Sequence, residues 1–522
     1  MADERTPPRP SDEAIPVIPS GPSATGAARA NILLLPIVAI AGVASVIVLA
    51  RVLTVAEFAL YAIAIAIRVT MQYLVDLGTG SAASRLFAEL HAMGARRQAI
   101  QLYWRLLIGR GLLVALIAAV IVAFPGPAGD VLSVEDHATV FLAFAIGIAV
   151  VEIAGLLAFY VLSALYAQRA SNTVSLMSGV LQPVLVSAAA LAGWGIEGIL
   201  GAVLISATFR SGGFITLAFL RLRAMPESGE THGQVRETLT RVTVASMVSK
   251  AAAWLHSRPF LTLLAASQRP RAELAAFALV HDICQQSLTA ATAPASGIVL
   301  PAFSRAGSDP VRQRALFRMI GRLTALLVWP VTAALVVLAA DAVPLALGER
   351  YADAVDFAYL IAPALALEIT LAMPSNGFAL THDDLLRPFV VIRVVAIVAA
   401  LAYVALSPGP LIVAAAWMMF VRVAGGLAVT IMIAVRTGVT ADGRSLARLA
   451  AVTVVAAGAG GLMAELVTGH LAAITAAGTV MVLVYLGGLR ALRALHPDDV
   501  AAVIRVLPRS TPIMSRLARV SR

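Results

Sequence analysis

The sequence is poor in charge, in cysteine and in lysine, and each shortage excludes a class of protein. Only 13% of its 522 residues are charged and 60% are hydrophobic. In a soluble globular chain about 25% of the residues are charged and about 45–50% are apolar. The single cysteine, Cys284, excludes an intrachain disulfide and any site built from several cysteine ligands. Lys250 is the only lysine, so arginine supplies almost all of the positive charge behind the net charge of +10.

Short motifs that mark enzymes are missing as well. The sequence has no glycine-rich phosphate loop ending in Gly-Lys-Ser/Thr, no His-Glu-x-x-His and no cluster of residues with zinc-ligand spacing. We therefore predict that the protein is neither an ATPase nor another enzyme, and that it uses no cofactor and no metal. The positive charge does not indicate nucleic acid either, since most basic residues lie in short loops beside apolar runs.

Apolar runs of membrane-spanning length follow one another along most of the chain. A run of about 20 such residues is enough to cross a bilayer as a helix. The sequence therefore predicts an all-α polytopic integral membrane protein with about fourteen spans. They lie near residues 31–52, 57–78, 104–125, 138–166, 173–192, 198–220, 243–266, 274–298, 320–340, 355–381, 389–407, 411–435, 446–466 and 471–489.

The loops between these runs differ in charge from one side of the membrane to the other. Cytoplasmic loops are enriched in arginine and lysine. The loops after even-numbered spans hold Arg85, Arg96, Arg97, Arg169, Arg221, Arg223, Arg236, Arg241, Arg305, Arg312, Arg314, Arg318, Arg387, Arg436, Arg444 and Arg448. The opposite loops hold only Arg269, Arg271 and Arg350. We therefore predict that both termini are cytoplasmic.

The chain also carries an internal repeat. "EFALYAIAI" from Glu57 resembles "ELAAFALVH" from Glu273, and Glu152 is separated from Glu368 by the same number of residues. "FRSGG" at Arg210 likewise resembles "VRVAGG" in the twelfth span. The pattern predicts two six-helix bundles related by duplication, an extra C-terminal helix pair, and a central cavity between the halves.

These observations divide the chain into six segments. The first thirty residues are rich in proline, serine and alanine, which favours a disordered tail. The predicted segments are a cytoplasmic tail over 1–30, a first bundle over 31–220, a cytoplasmic linker over 221–242, a second bundle over 243–435, an added helix pair over 446–489 and a basic cytoplasmic tail over 490–522.

Charged residues inside the predicted spans are the candidates for function. Each basic residue at a helix centre costs roughly 2.5–3.5 kcal/mol on insertion scales. We therefore expect most of them to face a polar cavity, whose surplus of cations attracts anions. The candidate substrate-binding residues are Arg68, Arg210, Lys250, Arg258 and Arg422. The candidate coupling or ion-pair residues are Asp76, Glu152, Asp282 and Glu368.

Two readings of these charges stay open. A buried ion pair with no transport role is the alternative for Glu152 with any one arginine. Arg110 and Arg393 lie close to helix ends, so we expect them to reach the membrane interface.

In the seventh span Arg258 precedes Pro259, and proline interrupts helical hydrogen bonding. Pro259 is therefore a candidate hinge, with a tolerated kink as the alternative.

Several stretches of the sequence resemble a known family. "RVLTVAEFALYAIAIAI", "YLVDLGTGSAASRLFAE", "GWGIEGILGAVLI", "LPAFSR" and "LGERYADAVDFAYLIAPALA" are similar to bacterial polysaccharide flippases of the multidrug/oligosaccharidyl-lipid/polysaccharide exporter superfamily. The resemblance covers roughly residues 30–490. It implies two six-helix bundles around a cavity whose opening alternates between the two sides of the membrane.

The resemblance also implies a substrate, which is an oligosaccharide on an undecaprenyl pyrophosphate carrier in the bacterial inner membrane. Membrane lipids, and possible contacts with polysaccharide assembly proteins, complete the expected partners. Family members often have acidic residues in the seventh helix, where this chain has Arg258. Two other functions stay open at this point, a cation-coupled exporter of small molecules or drugs and a membrane polysaccharide polymerase or ligase.

Overall fold

The structure is a computed structural model that describes residues 22–76, 79–124, 137–165, 167–227, 251, 254, 257–266, 269–306, 309–379, 382–406, 409–492 and 494. Lys250 lies outside the described residues, as do residues 1–21 of the predicted N-terminal tail. Most of the predicted linker and of the basic C-terminal tail also lie outside them. The division into six segments therefore stays a prediction.

The described residues form helices that follow the predicted apolar runs. The first half contains α1 (Pro22–Val52), α2 (Val55–Asp76), α3 (Thr79–Ala92), α4 (Arg96–Ala123), α5 (Ala138–Ala164), α6 (Gln168–Leu191) and α7 (Gly195–Arg223). The second half contains α8 (Arg258–Ala266), α9 (Arg271–Ala306), α10 (Pro310–Val337), α11 (Ala339–Leu347), a 3₁₀ turn (Glu349–Tyr351), α12 (Ala354–Ala379), α13 (Asp383–Leu406) and α14 (Leu411–Thr437). The last two helices are α15 (Gly443–Leu466) and α16 (His470–Ala491).

Ten helices in the described part of the chain are long and apolar enough to cross a membrane. The prediction of an all-α polytopic membrane protein is therefore confirmed, whereas the number of about fourteen spans stays a prediction. Two boundaries differ from expectation. Helix α1 already begins at Pro22, inside the predicted tail, and the expected loop between the second and third spans contains helix α3.

Local capping explains why α3 forms and where it ends. The Oδ1 atom of Asp76 accepts a hydrogen bond from the backbone N–H of Gly80 at 3.0 Å, which satisfies a donor in the first turn of α3. Gly94 has a φ of +66°, and the N–H of Ala95 donates back to the carbonyl of Leu90 at 2.9 Å. This left-handed glycine ends α3 and lets α4 begin at Arg96, eight residues before the predicted span at residue 104.

The two halves cross over each other. Helix α1 packs against α9, and α8 packs against α2, so the first helix of each half contacts the second helix of the other. Within the halves, α5 packs on α7 and α12 packs on α14. The same arrangement in both halves is what the sequence repeat predicts.

A single hydrophobic core joins the halves at one end of the bundle. This end, which we call the joined end, is where α2, α5, α7, α9, α12 and α14 begin. Its core takes buried residues from both halves, among them Phe58, Phe141, Phe277 and Tyr351. The rings of Phe58 and Tyr351 meet edge to face with centroids 6.1 Å apart.

At the opposite end the core divides in two. We call this the split end. One cluster there belongs to the first half and includes Phe87 and Phe214. The other belongs to the second half and includes Phe303 and Phe378. In the part of the chain that the structure describes, the apolar packing that holds the halves together is therefore concentrated at the joined end, and the split end has a separate core for each half.

Arginine side chains add polar contacts between the halves at the joined end. The Nε atom of Arg51, at the end of α1, donates to the carbonyl of Ala346 at 2.8 Å, and its Nη2 atom donates to the carbonyl of Leu345. Arg350 donates to the carbonyl of Ala50 in return. The last carbonyls of a helix lack partners within it. These arginines therefore satisfy the ends of α1 and α11 while they tie the halves together.

The added pair α15 and α16 packs on the second half, against α10 and α11. Tyr485 donates a hydrogen bond to the carbonyl of Leu326 at 3.0 Å. Asp442, at the N-cap of α15, lies 3.1 Å from the guanidinium of Arg322 on α10. The pair is therefore attached from outside the repeat, as the sequence predicts.

Close packing between α5 and α7 gives a test of the fold. A Cβ atom added at Gly155 would lie 2.8 Å from the backbone Cα of Ser211. We expect Gly155→Ala to destabilise the protein by about 1–3 kcal/mol, because the backbones would have to separate. The measurement is the thermal unfolding temperature of the purified protein in detergent.

The matched control is Gly147→Ala, on the same helix and facing the same neighbour. A Cβ atom there would lie 3.5 Å from the side chain of Leu204, which is ordinary contact. Helix propensity favours alanine over glycine, so this variant should be neutral or slightly stabilising. Equal losses in both variants would contradict the packing described for α5 and α7.

Candidate functional site

A layer of charged residues lies where the shared core ends and the two separate cores begin. Arg68 follows Ile67, which belongs to the shared core. In four other helices, α5, α7, α12 and α14, the charged residue falls between a shared-core residue and a split-end residue. Those charged residues are Glu152, Arg210, Glu368 and Arg422. The fold thus gathers at one level charges that the sequence distributes over 355 positions from residue 68 to residue 422.

The first cavity of this layer has a volume of about 270 Å³ and is lined by α2, α5, α6 and α7. We call it the first-half cavity. Glu152 is almost completely buried and contacts two arginines, Arg210 through a short contact and Arg68 at 3.6 Å. Arg68 also donates to Oε1 of Gln182 at 2.7 Å. Two cations thus share one carboxylate, which leaves a formal charge of +1 on this cavity.

The second cavity has a volume of about 480 Å³ and is lined by α2 of the first half and by α8, α9, α12, α13 and α14 of the second. We call it the inter-half cavity, and it corresponds to the predicted central cavity. Arg258 contacts Asp282 closely. Nη2 of Arg422 lies 2.6 Å from Oε2 of Glu368. The two groups form an ion pair, but their angles do not meet those of a hydrogen bond.

The duplicated halves carry the same ion pair. Glu152 of α5 pairs with Arg210 of α7, and Glu368 of α12 pairs with Arg422 of α14. These are the residues that the repeat relates. The halves differ at Arg68, whose counterpart at the same spacing in the second half is Cys284, a buried and uncharged residue.

One face of α2 serves both cavities. Arg68 and Gln72 line the first-half cavity, and Ile65, Val69 and Tyr73 line the inter-half cavity. Positions three and four residues apart share a helix face, so these five residues form one stripe. The two cavities are therefore neighbours on either side of this stripe.

Some predicted site residues lie elsewhere. Asp76 and Arg110 form a separate buried cluster, with Arg110 Nη2 at 3.0 Å from Asp76 Oδ1 and 2.6 Å from the hydroxyl of Thr79. Tyr160 donates to the other oxygen of Asp76 at 3.2 Å. Arg110 is only 4% exposed, so the expectation that it reaches the membrane interface is wrong. The acid that holds it comes from another helix.

Arg393 also differs from its expected position at the interface. It lines the inter-half cavity, donates to Oδ1 of Asn376 at 2.9 Å and stacks over the ring of Phe389. His281 lies in the same cavity and was not singled out by sequence. Its position one residue before Asp282 was the available signal, since adjacent polar residues in an apolar run are unusual.

The helix before Pro259 is interrupted. The described residues show a bend at Ser257, and α8 begins at Arg258 with Pro259 as its second residue. Proline is tolerated in the first turn of a helix, where its missing N–H would have no partner. Arg258 and Pro259 therefore stand at the start of a helix that opens onto the inter-half cavity. The role of Pro259 as a hinge stays a prediction.

The arrangement as a whole is a polar binding site with an excess of cations. Among the described lining residues the inter-half cavity has three arginines against two carboxylates, and the first-half cavity has two against one. No group of three potential metal ligands occurs among the described residues. An arginine can hold a phosphate or carboxylate through two parallel hydrogen bonds. The layer is therefore suited to hold an anion.

Comparisons with known proteins agree with this fold. A family model described as polysaccharide biosynthesis protein matches residues 48–356. None of the curated proteins matches the sequence.

Three solved structures are similar to this one. The lipid II flippase MurJ, in an inward closed conformation, has a TM-score of 0.66 and 11% identity, over 88% of this chain and 100% of that chain. An inward-facing multidrug resistance MATE family transporter of the MOP superfamily has a TM-score of 0.55 and 14% identity, over 77% of this chain and 94% of that chain. The MATE multidrug transporter DinF-BH has a TM-score of 0.51 and 13% identity, over 80% of this chain and 97% of that chain. At these identities the likeness shows the fold.

The buried Asp76–Arg110 pair gives a test of a structural charge. We expect Arg110→Gln to lower the free energy of unfolding by about 3–5 kcal/mol, because Asp76 would be left as an uncompensated buried charge. The measurement is thermal unfolding in detergent. Arg105→Gln is the matched control, since Arg105 is exposed on the same helix. Equally small effects of the two substitutions would restore the view that Arg110 reaches the membrane interface.

Proposed function

The chain belongs to the polysaccharide biosynthesis protein family, which confirms the resemblance seen in its sequence, and on this premise we propose that it is a flippase for a lipid-linked oligosaccharide. The substrate is a glycan on an undecaprenyl pyrophosphate-type carrier. The protein moves it across the bacterial cytoplasmic (inner) membrane for polysaccharide or lipopolysaccharide biosynthesis. The three solved structures compared above are a flippase and two transporters, which supports this class of function.

The observation that carries the proposal is the cationic layer at the point where the core divides. A pyrophosphate needs strong hydrogen-bond donors with positive charge, and arginine supplies both in a fixed planar geometry. Arg68, Arg210, Arg258 and Arg422 all line one of the two cavities. A polar chamber of this kind lets the headgroup cross while the polyprenyl tail stays in lipid.

The division of the core supports a transport mechanism by alternating access. Among the described residues the halves share one core at the joined end and have separate cores at the split end, so the apolar seal that these residues form lies on one side of the cavities. With the termini in the cytoplasm, as the loop arginines favour, the split end faces the cytoplasm. Transport then requires the joined end to open, with rupture of contacts such as those of Arg51 and Arg350.

The carboxylates have two roles in this mechanism. Glu152 and Glu368 hold the arginines in place while the cavity is empty. An incoming headgroup competes with them for the same donors, so binding rearranges the pairs that span α5–α7 and α12–α14. We further propose that Glu152, Asp282 or Glu368 carries a coupling proton. Asp76 is assigned to the structural pair with Arg110.

The experiment is a deletion of the gene in its native cell. Loss of the flippase should reduce surface polysaccharide and make the lipid-linked oligosaccharide accumulate on the inner leaflet. Restoration by the wild-type gene should reverse both effects. Normal polysaccharide output with no accumulation would refute the proposed function.

Arg68→Gln tests the site in the same cells. We expect the rate of polysaccharide export to fall at least about tenfold, since a hydrogen bond to a charged group is worth roughly 1.5–3 kcal/mol. The fold should survive, because Arg210 still compensates Glu152. Arg436→Gln is the control, an exposed arginine in the last turn of α14. Equal protein levels must accompany the comparison, and a fully active Arg68→Gln protein would remove Arg68 from the binding site.

A cation-coupled exporter of small molecules or drugs is the second candidate. The observation in its favour is Asp282, whose side chain is 25% exposed to the inter-half cavity while that of Arg258 is 4% exposed. An accessible carboxylate suits a cationic substrate or a coupling ion.

Drug sensitivity separates the two candidates. We expect expression in a host that lacks its own multidrug exporters to leave the growth-inhibiting concentration of cationic dyes unchanged, because cations outnumber carboxylates in both cavities. Expression of a known multidrug transporter is the positive control. Resistance conferred by this protein would favour the exporter.

A further inference from the structure

Two buried side chains that line the inter-half cavity carry hydrogen-bond donors without acceptors among the described residues. Among the described residues, the Nε and Nη2 atoms of Arg258 have no hydrogen-bond partner, and neither ring nitrogen of His281 has one. Both side chains are at least nine-tenths buried and both line this cavity. An imidazole carries at least one N–H in any tautomer. A buried donor without an acceptor is costly, so a ligand that accepts hydrogen bonds would stabilise this cluster.

The first-half cavity has a different chemistry. Its arginines are held by Glu152 and Gln182, and its other polar lining is neutral. Gln72 and Gln182 offer amide donors, and the serine hydroxyls offer oxygen acceptors. Those serines are Ser175, Ser178 and Ser206. The walls of this cavity therefore both donate and accept hydrogen bonds.

Two aromatic rings complete the first-half cavity. Phe159 and Phe214 line it with their centroids 5.4 Å apart and their planes tilted. An aromatic face packs against apolar surface such as the C–H face of a ligand ring. Aromatic faces beside mixed donors and acceptors match a sugar, whose ring has an apolar face and whose hydroxyl groups both donate and accept.

The inter-half cavity matches the other part of the headgroup. The oxygens of a pyrophosphate accept hydrogen bonds and donate none, so they fit donors that lack acceptors. Asp282 and Glu368 also line this cavity and repel an anion, but each is already in contact with an arginine. Arg393 adds a further cation, and the described contacts show no acid paired with it. The surplus of positive charge remains.

We infer that the headgroup divides between the two cavities, with the pyrophosphate on Arg258 and His281 in the inter-half cavity and the first sugar in the first-half cavity against Gln72, Gln182 and Phe214. The stripe on α2 borders both cavities, so the two subsites are adjacent and a headgroup that spans them would lie across this stripe. This inference rests on the proposed function. It assigns recognition of the carrier to one cavity and recognition of the glycan to the other.

The test compares two probes on the full-length protein in lipid nanodiscs. One probe is undecaprenyl pyrophosphate, and the other is undecaprenyl pyrophosphate that carries a single neutral hexose. We expect the wild-type protein to bind both, with a lower Kd for the hexose-bearing lipid. His281→Leu should raise both Kd values by about tenfold, as expected for the loss of a hydrogen bond to a charged group.

Gln72→Leu should act differently. It should raise the Kd of the hexose-bearing lipid to that of the sugar-free lipid and leave the latter unchanged. Gln101→Leu is the control, because Gln101 is exposed on α4 and lines neither cavity. The ring of His281 makes no hydrogen bond to the described part of the chain, so His281→Leu should retain the unfolding temperature. His281→Phe keeps a ring and provides the same test if the leucine variant is unstable.

The outcomes separate the inference from the proposed function. Equal loss of both probes in Gln72→Leu, or a loss confined to the hexose-bearing lipid in His281→Leu, would overturn the assignment of the cavities. Equal Kd values of the two probes for the wild-type protein would overturn the sugar subsite and leave the flippase proposal intact. Failure of the wild-type protein to bind either lipid would count against the flippase itself.

Discussion

A guanidinium group in the middle of a membrane helix needs an anion beside it or water around it, and this constraint organises the charged layer of the protein. The anion is Glu152 for Arg68 and Arg210, Asp282 for Arg258, and Glu368 for Arg422. Removing one partner of the Arg258–Asp282 or the Arg422–Glu368 pair leaves an uncompensated charge, whereas Glu152 keeps one arginine when the other is removed. The pairs therefore fix how α5 and α7, or α12 and α14, lie relative to each other.

The position of the layer connects it to motion. Apolar packing is continuous across the halves at the joined end and divided at the split end. Charges placed at this boundary lie next to space that is polar and accessible to a ligand, while the shared core seals the opposite side. A ligand that competes for the arginines changes contacts between helices of one half. In this way recognition at the layer can be coupled to the packing that opens or closes the bundle.

Duplication explains both the symmetry of the site and its asymmetry. The Glu152–Arg210 and Glu368–Arg422 pairs are equivalent, so the two halves share one framework. The remaining residues diverge, with Arg68 in one half where the other has Cys284 at the same spacing, and with His281 and Arg393 facing only the inter-half cavity. Two cavities with different chemistry on a common scaffold suit a substrate that combines a charged linkage with neutral sugars.

The sequence by itself determined the class of the fold. An apolar run of about 20 residues that crosses a membrane satisfies its backbone hydrogen bonds within itself only as a helix. The equal spacing of similar segments reveals a duplication. It also identified most of the charged residues that line the cavities. Only the tertiary structure decided which charges meet. Arg110 is held by Asp76 of another helix, and Arg393 faces the cavity, although the distance of each residue from its helix end indicated the membrane interface. Pairing depends on how each helix is rotated and on which neighbour it packs against, and neither quantity is encoded in the spacing along one chain.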